Sequence, residues 1–311
     1  MNRTTGCAGI TLVELMVAMT VAAIVGIMIL HVVLDFQSRI LAEISRNDLQ
    51  DRAERLIRFM ASDIRDAAFL LGPVPLTADG APLALTHDSL AGDPVETIPS
   101  SLIVEDVADG DDRLTIVKAE SFTPPLRLAQ AAQVGETSVA LNRRPNFSPG
   151  STREMQPAPE AINHLVFASH RTCYPLQRVD LVVDLELPLQ EAVSAETEVL
   201  GLRACTYTAE PFAGSSRLRR DDFTSRDILD EAIDGLQFEY LLDDGAIVDR
   251  PLNPRTVSGV RVSLLVRSLR QDQNYTDTGV YPLANRVYGP FHDHFRRQPV
   301  TRLVEVKNHG L

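Results

Sequence analysis

The feature that most limits what this chain can become lies at its head. From Ile10 to Leu34 the sequence is almost wholly apolar and carries one carboxylate, Glu14. A short polar leader holding Arg3 precedes it and ends in Gly9. After Ile10 the first proline is Pro73, so nothing breaks a helix before Gly72-Pro73. As a helix, Ile10 to Leu30 would reach about 31 Å, enough to cross a bilayer. A secretory signal has an apolar core of about 7 to 15 residues and a small-residue cleavage site. Here the run passes through His31-Val32-Val33-Leu34-Asp35 without one.

Glu14 is the anomaly. A carboxylate near the bilayer centre costs roughly 2.5 to 3.5 kcal/mol, and its presence points to a function and a partner. If the chain is cut after Gly9, the new amine on Ile10 lies about one turn, roughly 6 Å along the axis, from Glu14. The pair can close within one subunit or between neighbours, and only the second arrangement builds a polymer.

The stretch Gly9-Ile10-Thr11-Leu12-Val13-Glu14-Leu15 resembles the class III signal of type IV pilins and pseudopilins. That resemblance implies cleavage between Gly9 and Ile10 by a prepilin peptidase, N-methylation of Ile10, where the family usually has Phe, and a subunit-docking role for Glu14. A plain signal anchor is the rival reading, and it explains neither Gly9 nor Glu14.

Beyond Asp35 the apolar run becomes amphipathic. Leu41, Ile44, Leu49, Leu56, Phe59, Met60, Ile64, Ala67 and Leu71 recur at mostly helical intervals. Asp35 with Arg39, Asp48 with Arg52, Asp51 with Arg55 and Glu54 with Arg58 stand four apart with the acid first, the favourable order on a helix. The expectation is one helix of about 60 residues, roughly 90 Å if straight. Its first half needs lipid or other helices; its second half needs a domain folded on its apolar stripe.

After Pro73 the texture is β-rich. Candidate strands are Ser101–Val104, Arg113–Val117, Thr137–Leu141, Ile162–Phe167, Val179–Leu187, Gly235–Leu242, Val257–Arg267 and Leu303–Val306. Asp109-Gly110-Asp111 and Asp243-Asp244-Gly245 read as hairpin turns, Pro73–Pro99 and Phe147–Glu160 as loops, and a short helix is expected over Arg226–Ile233. The fold class is therefore α+β. Its segments are a leader over 1–9, an apolar helix over 10–34, an amphipathic continuation over 35–71, and a β-rich globular domain over 72–311.

Two further stretches, Leu56 to Phe69 and Ile233 onward to Lys307-Asn308, resemble PilW-type minor pilins in content and order. Lys307 stands where that family would have an Arg. The resemblance implies a structural subunit of the inner membrane, its globular domain in the periplasm, that joins the complex priming a type IV pilus near the tip. Its partners would be prepilin peptidase, other minor and major pilins, and the assembly machinery. A GspJ-like minor pseudopilin of type II secretion is the near alternative; a signal-anchored periplasmic enzyme or binding protein is the distant one.

Acidic residues exceed basic ones by 12, which speaks against nucleic acid as a partner. Cys7 leaves with the leader, so Cys173 and Cys205 remain. In an exported domain the simplest expectation is a disulfide between them, with a metal pair as the alternative. No catalytic constellation is apparent, and no cofactor or metal is expected. His292-Asp293-His294 lacks a third ligand, and His164, His170 and Cys173 offer only a weak thiol and base. The acidic turns at Asp109–Asp112 and Asp243–Gly245 read as solvated, with calcium as the alternative.

Overall fold

A computed structural model describes residues 12–69, 71, 75–80, 84–85, 96–97, 100–107, 110–144, 164–168, 172–222 and 226–307. The leader, Gly9 and Ile10, His170, Asp109 and most of the two expected loops lie outside them. The chain divides into two compact units, Met1–Asp48 and Leu49–Leu311.

Helix α1 runs unbroken over Leu12–Arg65, 54 residues. In the first unit its side chains from Leu15 to Leu34 are all unburied. In the second unit it buries Leu49, Ala53, Leu56, Ile57, Met60, Ala61 and Ile64, a three-and-four spacing that places one stripe against the sheet. Phe59, expected on that stripe, is instead 47% exposed and lies under the Arg220 guanidinium, 5.8 Å from its ring centre.

The strands, in order, are β1 Leu76–Thr77, β2 Ala84–Leu85, β3 Glu96–Thr97, β4 Leu102–Glu105, β5 Arg113–Arg127, β6 Ser138–Ala140, β7 His164–Phe167, β8 Thr172–Val179, β9 Val182–Leu185, β10 Glu198–Phe212, β11 Ser215–Asp222, β12 Arg226–Leu242, β13 Ile247–Val248, β14 Val257–Arg267, β15 Tyr281–Leu283, β16 Arg286–Tyr288 and β17 Arg297–Glu305. Most join one sheet, ordered β17-β14-β12-β11-β10-β7-β8-β9-β6. In it β5 pairs with β10 and β4 with β5. All of these pairings are antiparallel; among the described residues β1 alone joins the sheet parallel, on β8.

Among the described residues two large apolar cores form on this sheet, beside two smaller clusters. The first lies between α1 and strands β4, β12, β14 and β17 with the nearby ends of β5 and β10. The second, from Phe122 to Val199, is built by the far end of β5, the start of β10 and strands β6 to β9. At 15 residues each, β5 and β10 are long enough to serve both.

Several expectations need correction. Arg226–Ile233 is not a helix but the start of β12, paired with β11. Strands β10 and β11 were not anticipated: β11 reads Ser-Ser-Arg-Leu-Arg-Arg-Asp-Asp, and Leu218 is its only apolar residue. Those charges hold in place because Arg217 and Arg219 both pair with Glu210 on β10. The Asp243-Asp244-Gly245 turn is as expected: the Gly245 N–H reaches the Leu242 carbonyl at 2.9 Å, with Gly245 at φ +84°.

Candidate functional site

The head of α1 is the first element to weigh. Leu15–Leu34 is apolar and long enough to cross a membrane, and none of it is buried within the chain. Its one internal hydroxyl in view, on Thr20, donates to the Met16 carbonyl at 2.8 Å, so it needs no water. The helix backbone includes Glu14, whose side chain lies outside the described residues.

The second element is how the later part of α1 is held. Arg52 donates through two nitrogens to the Asp230 carboxylate, Nε at 3.0 Å, and through Nη1 to the Arg267 carbonyl at 3.1 Å. The expected helical partner of Arg52, Asp48, is displaced by this tertiary contact. In the last turn of the helix, Asp63 accepts from Tyr207 Oη at 2.7 Å, Lys118 Nζ at 3.0 Å and Arg220 Nε at 2.9 Å. Burial pushes the Asp63 carboxyl up, but the Tyr207 bond and the two cations outweigh it and leave it at about 2. Past the helix end the chain is stitched on by its backbone: Ala68 N to Val117 O, Ala119 N to Phe69 O, and Lys307 N to Arg65 O.

A third cluster closes the far side of β14. The Arg297 side chain is 1% exposed and donates to Asp234, Asp277 and Asp293 at 2.6 to 2.8 Å, with its guanidinium 3.6 Å from the Phe291 ring centre. Three carboxylates on one guanidinium knit β12, β17 and the 268–296 excursion together.

Residues 213–308 match the family described as Type IV Pilus-assembly protein W, and residues 5–30 match the Prokaryotic N-terminal methylation motif. Over these stretches the chain is similar to PilW-type pilus-assembly proteins. No curated protein and no solved structure matches it.

The PilW-matched region contains β12, β14 and β17, the strands on which α1 lies, together with Asp230, Arg267 and Arg297. The second core falls outside both matches. So do both cysteines, and here the structure overturns the expected disulfide: Cys173 and Cys205 are free and buried. Cys173 faces Val166, Val166 faces Leu200, and Cys205 lies five residues further along β10. Five residues and two strand spacings amount to roughly 19 Å, far beyond the ~7 Å limit between Cα atoms of a disulfide. Burial pushes both thiols up to about 12, so neither is a nucleophile near neutral pH.

The remaining candidates resolve into structure. His164 is buried in β7, and burial lowers it to about 4, so it is neutral in the fold. His294 Nδ1 contacts the Tyr275 carbonyl at 2.6 Å, and Asp293 is taken by Arg297. Asp111 and Asp112 are not the solvated turn expected of them. Asp111 accepts from Leu236 N and Tyr288 Oη, and Asp112 from Phe238 N, each within 2.9 Å, so both stand in for a strand along the edge of β12. Burial raises Asp111, and raises Asp112 to about 6. Among the described residues no group of three or more His, Cys, Asp or Glu is placed to hold a metal. Sequence reasoning missed Arg52–Asp230 and the Arg297 cluster, whose partners carry no local pattern.

Proposed function

We propose that this chain is a minor pilin that enters a type IV pilus as a structural subunit and turns over no substrate. A pilin-type role in pilus assembly follows from the two family matches; the steps below are our reading. The leader is removed between Gly9 and Ile10 by a prepilin peptidase and Ile10 is N-methylated. Residues 10–34 hold the protein in the inner membrane, 35–71 continue the helix, and the domain from 72 onward lies in the periplasm. On assembly the apolar helix leaves lipid for a bundle of neighbouring helices, where Glu14 pairs with an amine in place of remaining a lone charge. The partners are the peptidase, other minor and major pilins and the assembly machinery, and the subunit sits near the tip.

One observation carries the reading: the 20 residues Leu15–Leu34 form an apolar helix of which nothing is buried in the chain's own fold, overlapping the match to the methylation motif over residues 5–30. A Glu14→Ala variant tests it. The variant should be processed normally yet be depleted at least tenfold from sheared fibres, and undiminished incorporation would refute the role of Glu14. Deleting the gene should abolish piliation and leave protein secretion intact; the reverse result would place the chain in a type II secretion machine.

A further inference from the structure

The sheet ends at β17, and the register shows which of its backbone groups are committed. Val306 N bonds to Ser258 O, and Ser268 N to Arg296 O. With β17 opposite β14 from Gly259↔Glu305 to Arg267↔Arg297, the alternation of an antiparallel pair turns 298, 300, 302 and 304 toward β14. The N–H and C=O groups of Thr301, Leu303 and Glu305 therefore point off the sheet. Pro299 falls on the same outward parity, where a missing N–H disturbs no ladder bond. Further along, Lys307 N meets the Arg65 carbonyl at the end of α1, and a groove of about 330 Å³ lined by Arg65 and residues 303 to 307 runs beside the strand. Leu303 is 45% exposed, and Thr301 and Glu305 are exposed.

The charges along this edge run against those of the chain. In a protein with 12 more acidic than basic residues, Arg65 and Lys307 line this groove with one carboxylate, Glu305, and Arg302 is exposed on the same strand. Among the described residues none of the three cations forms an ion pair. A second copy paired edge to edge would bring the same cations with Glu305 as the single carboxylate of its Thr301–Glu305 edge, and so offers them little counter-charge.

We infer that the outer edge of β17, from Thr301 to Glu305, receives an extended, carboxylate-bearing segment of a different pilus subunit as an added strand. This rests on the minor-pilin reading and adds to it a docking surface on the globular domain. Backbone bonds at 301, 303 and 305 would supply the registration, and the three cations the preference for an acidic partner.

Proline substitution separates outward from inward positions. Leu303→Pro removes only an outward backbone donor, whereas Thr301 also holds the buried Ser263 hydroxyl at 3.1 Å and is left unchanged. The Leu303→Pro variant should keep the wild-type unfolding midpoint in the detergent-solubilised full chain and be depleted at least tenfold from sheared fibres, while Leu303→Thr incorporates as wild type. A photo-crosslinking residue at Leu303 in cells should give an adduct with another pilin, mapped by mass spectrometry to an acidic stretch. Should the proline substitution unfold the chain, the adduct alone decides. Incorporation of folded Leu303→Pro at the wild-type level, or an adduct confined to this chain or to a second copy of it, overturns the inference and leaves the minor-pilin reading in place. Absence of the wild-type chain from the fibre overturns both.

Discussion

Asp63→Asn is the change that probes the anchorage of α1 most sharply. The Asp63 carboxylate is 9% exposed and is shared by Tyr207, Lys118 and Arg220. Folding lowers its pKa from 3.8 to about 2, which at ~1.36 kcal/mol per unit amounts to roughly 2 kcal/mol in favour of the ionised fold. The amide keeps the volume and an acceptor for Tyr207 but removes the carboxylate charge that Lys118 and Arg220 share, a change that costs about 3 to 5 kcal/mol where pairs are well buried. A loss near 3 kcal/mol lowers the unfolding midpoint of a domain this size by about 6 to 12 °C.

The assay is thermal unfolding of the detergent-solubilised full chain, followed by circular dichroism at pH 7 and then at lower pH. Because the folded pKa is depressed, the Asp63 contribution is complete above the unfolded value of 3.8 and is lost as pH falls toward 2. The gap between wild type and variant should therefore hold from pH 7 to 5 and narrow toward pH 3. His164, lowered by burial to about 4, also weakens the fold as pH falls from 6.5, but it does so in both proteins and cancels in the difference. A variant within 2 °C of wild type at pH 7, or a gap that does not change between pH 5 and 3, would refute the reasoning.

Arg297→Met leaves Asp234 and Asp277 buried without their cation and should cost about 3 to 5 kcal/mol, read as a large fall in the same midpoint; a fall under 2 °C would contradict the hub. Because Cys173 and Cys205 are free and buried, iodoacetamide should add to neither in the folded protein and to both after unfolding without reductant. Two hydrogens gained on reduction would restore the disulfide.

How much of this was legible in the sequence follows from the range of the forces involved. The helix was plain, since its apolar span, its spacing and the absence of proline before Pro73 are all local. Val257–Arg267 was legible end to end, because a β-branched, nearly continuous apolar run is what a strand covered on both faces requires. By contrast Arg226–Ile233 carries apolar residues at helical spacing, yet β11 pairs along it and Asp230 reaches Arg52, 178 residues away. β11 itself was hidden because charges took the place of the apolar alternation that marks a strand. The cysteine pairing failed for a related reason: composition limits what can form, but only register places Cys173 and Cys205 far apart. Of the candidate site, Gly9, Ile10 and Glu14 were visible as a motif, while the bonds that hold the helix to its domain were not.

The account rests on a chain whose apolar head is freed and modified before it joins a fibre. Mass spectrometry of the protein recovered from sheared pili addresses this directly. The account predicts an N-terminus at Ile10 carrying one methyl group. An intact Met1, or an unmodified chain found only in the membrane fraction, would contradict it.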